Sequence, residues 1–325
     1  MKIFITGGAG YVGSKLVPKL LDLGHSVTVL DLMIYGEEVL ENHKNLKKIK
    51  GDIRNQNLLK KNIPGHDAII HLACISNDPS FELNPSLGKS INFDAFEPLV
   101  KISRESHVNR FIYASSSSVY GIKKEKNVTE DMKLEPLTDY SKFKGMCEKI
   151  LNENKTDDFI VTTIRPSTVC GYALRQRLDL VVNILTNHAY HKKKIIVFGG
   201  KQLRPNIHIN DMVDSYISIL NADYKKVNGE IFNVGFRNQS VHELALDVKK
   251  VIGDDVKIIN ERSDDNRSYH VSSRKIKEIL NFETNFSIQD GVRDLQNAFY
   301  KGLIKDSFED EKYFNIKRMQ SINLI

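Results

Sequence analysis

The pattern of apolar and polar positions divides the chain into two unequal parts. Lys2–Thr6 is a short β-rich run, glycines follow it, and Val12, Leu16, Leu20 and Leu21 then recur at helical spacing before residues 27–30 resume strand character. This order is a βαβ unit. The alternation continues with an apolar run over 67–72, a helix over about 86–106, a strand at Arg110–Ala114, a helix after Asp139 and a strand over 159–164. Strands alternating with helices of this length predict an α/β fold whose doubly wound parallel sheet is covered on both faces. Beyond Arg165-Pro166 the rhythm becomes irregular, with helices predicted near 178–189, 209–220, 241–252 and 288–299. Residues 1–165 are therefore read as the main domain. Residues 166–325 are read as mostly a second, smaller α/β domain, with chain near 205–240, above all 230–234, returning to the main sheet. From about Lys305 onward the sequence carries no functional signal and is expected to pack or fray.

Composition narrows the class. With 325 residues the chain can bury a sizeable core in one large or two ordinary domains. Its three cysteines, Cys74, Cys147 and Cys170, lie far apart without Cys-x-x-Cys spacing, which fits a reducing cytoplasm better than a disulfide framework or a zinc knuckle. No cluster of His, Cys and carboxylate has metal spacing, so no metal is expected. The net charge of +6 comes from short, scattered basic runs such as 123–126 and 192–194, which read as solvated surface rather than a nucleic-acid groove. That excess still suits an anionic small substrate. The apolar run before Gly7 is too short for a signal peptide, and no later stretch approaches eighteen apolar residues, so neither export nor membrane spanning is expected.

The chemistry begins at Gly7-Gly8-Ala9-Gly10-Tyr11-Val12-Gly13, between the first strand and the first helix. Glycines at 7, 10 and 13 permit a tight turn, bring backbone N–H groups close to a pyrophosphate, and let the helix pack closely behind its partly positive N-terminus. This is the Rossmann arrangement. Asp31 ends the second strand, where a carboxylate accepts hydrogen bonds from an adenosine ribose and repels a 2'-phosphate, favouring NAD over NADP. The other reading of Asp31 is a turn aspartate capping the next element. Further on, Tyr140 and Lys144 stand one helical turn apart, so that a cation favours the phenolate of a phenol that is otherwise a poor base at neutral pH. The strand Arg110–Ala114 ends in Ser115-Ser116-Ser117-Ser118, and a serine at that end can meet the tyrosine beside a cofactor.

With these residues in this order, the sequence resembles the extended short-chain dehydrogenase/reductases, specifically the NAD-dependent epimerase/dehydratase family acting on nucleotide-sugars. The likeness spans most of the chain. It implies Ser116, Tyr140 and Lys144 as catalytic residues, with Lys144 also holding the nicotinamide ribose. It implies cofactor contacts from Tyr11 and Val12 of the turn, from Asp52 and Ile53 in Gly51-Asp52-Ile53-Arg54, from Leu72 and Ala73 in Leu72-Ala73-Cys74, and from Asn92. Family 4,6-dehydratases carry Thr-Asp-Glu where this chain has Ser116-Ser117-Ser118, so the elimination lacks its acid and base and C4 oxidation remains.

The segment from Arg165 to Gly171 resembles the family's Arg-Pro-Ala-Asn-Val-Tyr-Gly, with Thr168 replacing the asparagine at a substrate-binding position. Arg204 and Arg267 match the arginines that grip the substrate diphosphate, a role suited to planar guanidinium groups. Arg175, Arg177 and Asn183 are placed to reach the nucleotide; a helix start with solvated charges explains them equally well. The loop 77–85 follows the fourth strand and either shapes the sugar pocket or is an ordinary ordered turn. His71 and His208 lie in apolar runs and are read as structural. The implied activity is NAD-dependent 4-epimerisation of a UDP- or GDP-activated sugar. The alternatives are a C4 dehydrogenase of a hexose or heptose that releases the 4-keto sugar, and an inactive dinucleotide-sensing regulator. The resemblance also implies a homodimer paired through the helices near 86–106 and 140–154.

Overall fold

The computed structural model describes residues 1–125, 127–263, 268 and 270–324. The chain opens with β1 (Lys2–Thr6), α1 (Gly13–Asp22) and β2 (Ser26–Asp31), then β3 (Leu46–Lys50), α2 (Gln56–Asn62) and β4 (Ala68–His71). Two short helices, α3 (Asp78–Glu82) and α4 (Pro85–Lys89), precede α5 (Phe96–Glu105), β5 (Arg110–Ala114), α6 (Asp139–Glu153) and β6 (Ile160–Pro166). The remaining chain forms β7 (Thr168–Cys170), α7 (Val181–Lys192), β8 (Lys194–Phe198), β9 (Leu203–His208), α8 (Ile209–Asn221), α9 (Tyr224–Val227) and β10 (Glu230–Val234). It ends with β11 (Arg237–Ser240), α10 (Val241–Ile252), β12 (Lys257–Glu261), α11 (Arg274–Leu280), α12 (Ile288–Tyr300) and α13 (Asn315–Ser321).

Seven strands form one parallel sheet in the order β10-β6-β5-β4-β1-β2-β3. Both faces are buried, as the alternation within β1 shows. Ile3 and Ile5 pack with Leu16, Leu20, Met212 and Tyr216 on the α1 and α8 side, while Phe4 packs with Ile69, Phe96 and Phe111 on the other. The strand order reverses between β1 and β4, and in open α/β sheets ligands bind beyond the carboxyl ends of the strands at that switch point. Strand β10 pairs with β6 after an excursion of more than sixty residues, so the main sheet takes its last edge from the second part of the chain. That second part adds a three-stranded sheet, β11-β9-β7, and a two-stranded sheet, β12-β8. Its core lies among α7, α10 and α12.

The structure departs from the sequence reading at several elements, among them β3 and the helix expected over 86–106. Strand β3 was not anticipated, because Leu-Lys-Lys-Ile-Lys lacks an apolar face; lysines suit it to the sheet edge it occupies. The helix expected over 86–106 is interrupted by a π-helical turn at Ser90–Asp94, which presents Asn92 to the interior. Both histidines take structural places. His71 Nδ1 lies 2.6 Å from Thr6 Oγ1, and burial lowers its pKa to about 3. His208 stacks on Phe286 and lies 3.1 Å from Asp294. Among the described residues, no helix is long and apolar enough to cross a membrane.

Candidate active site

A cleft of about 510 Å³ opens at the switch point, and the glycine turn, Asp31, Ser116, Tyr140, Lys144, Thr168 and Arg204 all face it. At its floor Gly7 has φ +74°, and a Cβ there would stand 2.5 Å from the main-chain nitrogen of Ala73. A Cβ at Gly13 would stand 2.4 Å from Gly8 O. The turn is thus packed directly on the Leu72-Ala73 strand end, where no side chain fits. Helix α1 begins with no side-chain cap and no acid in its first turn, so no carboxylate of that turn opposes an anion at its partly positive N-terminus. Gly10 completes the turn by donating to Gly7 O at 3.2 Å.

Asp31 accepts from Ala9 N at 3.0 Å and Met33 N at 2.8 Å, which aims its carboxylate across the turn. Burial raises its pKa, and the two backbone hydrogen bonds and Arg175 oppose the rise. Asp52 and Ile53 line the same end, with Asp52 held by Arg54 at 2.6 Å. Tyr11 and Val12 also face the cleft, but the Tyr11 hydroxyl is committed to bridging the two parts of the chain by donating to Gly171 O at 2.5 Å.

Helix α6 presents Tyr140 and Lys144 to the cleft. A capping box between Thr138 and Ser141 fixes its first turn, placing Tyr140 at its second position and Lys144 one turn on. The Lys144 ammonium donates to Ala114 O, at the end of β5, at 2.6 Å, and lies 5.9 Å from the Tyr140 ring centroid. Burial pushes the Tyr140 phenol well above its ordinary value; Cys74 and Asp78 add to the rise, and a hydrogen bond from Asn77 and the charge of Arg177 oppose it. Ser116 Oγ accepts from Ser118 N at 3.1 Å and shares a hydrogen bond with Ser118 Oγ at 2.8 Å. Its neighbour Ser115 turns the other way, donating to Glu148, which is paired with Arg165 in the core.

Not every residue singled out from sequence reaches the cleft. Asn92 spends its amide on the main chain of Ile75, at 2.8 and 2.9 Å, and braces that loop. Asn183 is fully buried, donating to Arg177 O and Tyr11 OH and accepting from Gly171 N, so it too supports the wall. Arg204 lines the cleft. Arg267 lies outside the described residues. Sequence reasoning missed Tyr35 and Asn315. The region after Lys305, read as without function, places Asn315, Met319 and Leu324 on the cleft, and Tyr35 OH donates to Asn315 Oδ1 at 2.9 Å.

Residues 3–235 match the profile of the NAD dependent epimerase/dehydratase family. The chain belongs to this family. Within it, the protein is 28% identical over 313 residues to the UDP-glucose 4-epimerase of Lactobacillus helveticus, covering 90% of this chain and 94% of that one. It is 30% identical over 319 residues to an uncharacterized UDP-glucose epimerase of Bacillus subtilis, covering 90% and 96%. The fold is similar to that of the UDP-glucose 4-epimerase crystallised with UDP-glucose from Thermotoga maritima, with a TM-score of 0.85 at 24% identity over 93% of this chain and 100% of that one. As a member of the epimerase/dehydratase family the protein is an enzyme of the extended short-chain dehydrogenase/reductase type, and its cofactor is NAD. The uncapped end of α1 and the side-chain-free approach at Gly7 fit that dinucleotide.

Proposed function

We propose that this protein is a nucleotide-sugar 4-epimerase acting on a UDP-sugar. The observation that carries the reading is the meeting of Ser116, Tyr140 and Lys144 on the same cleft as the glycine turn, with hydroxyls at Ser117 and Ser118 where elimination needs carboxylates. The UDP-glucose epimerases among the relatives support it. Asp78, whose charge acts on Tyr140, accepts the Thr138 hydroxyl at 2.5 Å.

Oxidised NAD supplies the hydride acceptor and, once reduced, the donor that returns the hydride. Tyr140, deprotonated in the ternary complex, takes the proton of the sugar C4 hydroxyl as the hydride leaves that carbon. Ser116 donates a hydrogen bond to the same oxygen, and Lys144 holds positive charge beside the phenol. Arg204 and Thr168 hold the nucleotide-sugar while the 4-keto sugar turns over to present its other face. On return, Tyr140 gives the proton back and no net redox change results. A homodimer through α5 and α6 accompanies this reading.

Incubation with UDP-glucose or UDP-galactose, followed by NMR of the products, tests it. The expected result is interconversion at C4 without accumulation of NADH, and Tyr140→Phe should lower kcat by about 100-fold or more. Release of a 4-keto sugar with stoichiometric NADH would replace the epimerase by a C4 dehydrogenase.

A further inference from the structure

Two arginines between β7 and α7 carry hydrogen-bond donors that no described residue accepts. Arg175 and Arg177 are 3% and 8% exposed, and both line the cleft. Among the described residues, Nε and Nη1 of Arg175 and Nη2 of Arg177 meet no acceptor. Buried donors left unpaired are costly, and a buried guanidinium without an anion is more so. Arg177 is partly compensated, by Asp179 at 2.8 Å and Ser76 Oγ at 3.0 Å. Among the described residues no carboxylate forms an ion pair with Arg175, although the charges of Asp31 and Asp179 act on it from farther off. Burial pushes its pKa below the ordinary guanidinium value.

What holds Arg175 shows which ligand it awaits. Its main-chain N–H donates at 3.2 Å to Ser14 Oγ, in the first turn of α1. Its guanidinium lies 3.6 Å from the ring centroid of Tyr35, four residues beyond Asp31. Its Nη2 donates at 2.5 Å to Asn315, the residue that also accepts from Tyr35. Ser14 lies in the helix that follows the glycine turn, and Tyr35 follows Asp31 and holds Asn315, so the anchors lead back to the elements that carry the turn and the acid. The side chain is thus fixed in place with two N–H groups to spare, beside the uncapped helix end.

We propose that Arg175 and Arg177 form a clamp on the diphosphate of the dinucleotide, reaching from the second part of the chain over the N-terminus of α1. The guanidinium forks supply charge-assisted hydrogen bonds on one side of the diphosphate, and the helix supplies backbone donors on the other. A nucleotide-sugar carries a diphosphate as well, and the three anchors of Arg175 are what assign that arginine, and with it the clamp, to the cofactor. The proposal rests on the use of NAD and is independent of the 4-epimerase reading.

The test compares cofactor retention with substrate binding in the full-length holoenzyme. For wild type, Arg175→Gln and Arg177→Gln, the release rate of bound NAD is followed during exchange against excess ADP-ribose, and UDP affinity is measured by titration calorimetry. Arg175→Gln is expected to speed NAD release by about tenfold or more while UDP affinity changes less than twofold. Arg175→Lys, which keeps the charge and loses the fork, should fall between. Unchanged NAD release would overturn the proposal, and so would weakened UDP binding with unchanged release, which would give the arginines to the substrate. If Arg175→Gln does not fold, Arg175→Lys and Arg177→Gln decide the matter on the same two readouts.

Discussion

Replacing Glu148 by Gln removes the negative half of a buried ion pair directly behind the catalytic strand. Arg165 and Glu148 side chains are 3% and 4% exposed. Arg165 meets the carboxylate through Nε at 3.0 Å and Nη2 at 2.6 Å, while its Nη1 donates to Tyr120 OH and Glu130 O. Ser115 donates to the same carboxylate. Breaking a buried pair from one side typically costs about 3–5 kcal/mol, because the remaining charge stays buried without compensation. Tyr120 and the Glu130 carbonyl retain part of the Arg165 solvation, and a Gln carbonyl still accepts one hydrogen bond. The expected loss is therefore near the lower figure, about 3 kcal/mol. Urea unfolding of the purified protein with saturating NAD measures it. The double variant Glu148→Leu with Arg165→Met should recover most of the loss, since matched apolar replacement of a buried pair is often neutral. A cost below about 1 kcal/mol for Glu148→Gln, or a double variant worse than the single, would refute the claim that charge compensation dominates there.

Two other perturbations have definite signs. Gly7→Ala places a Cβ 2.5 Å from the main chain at Ala73 and strains a backbone at φ +74°; the left-handed conformation alone costs about 1–2 kcal/mol. A lowered Tm and loss of co-purifying NAD are expected, and a soluble variant with full NAD content would show that the close approach is unnecessary. His71 is held neutral with its pKa near 3 against an ordinary 6.5, so the unfolded chain binds the extra proton and stability falls as pH drops from about 6.5 toward 3. Between pH 7 and pH 5 this group should remove about 2 kcal/mol from the unfolding free energy, and an equally steep pH dependence in His71→Gln would count against the assignment.

The parts of the fold legible in the sequence were those set by local pattern. Glycines at fixed offsets between an apolar strand and an amphipathic helix can form little else, and Tyr140 and Lys144 share a helix face whatever surrounds them. Side-chain direction was less accessible. Asn92 and Asn183 have the chemistry of ligand-binding residues, yet backbone groups of Ile75, Arg177 and Gly171 claim their amides. Asn315 carries no local signal at all, because its partners Tyr35, Ser76 and Arg175 lie between 140 and 280 residues away. The direction in which the Tyr140 pKa moves was also out of reach, since burial is its largest cause and burial is not written in the local sequence.

Strand β10 has a mechanical consequence. Because β6 runs directly into β7 and the chain later comes back to seat β10 beside β6, the two halves of the molecule are stitched by more than one crossing. A rigid-body hinge would have to bend all the crossings at once. Severing the chain after Pro166 would take away β10 from the edge of the main sheet and α8 from the face of β1, leaving the sheet without its outermost strand and without part of its cover.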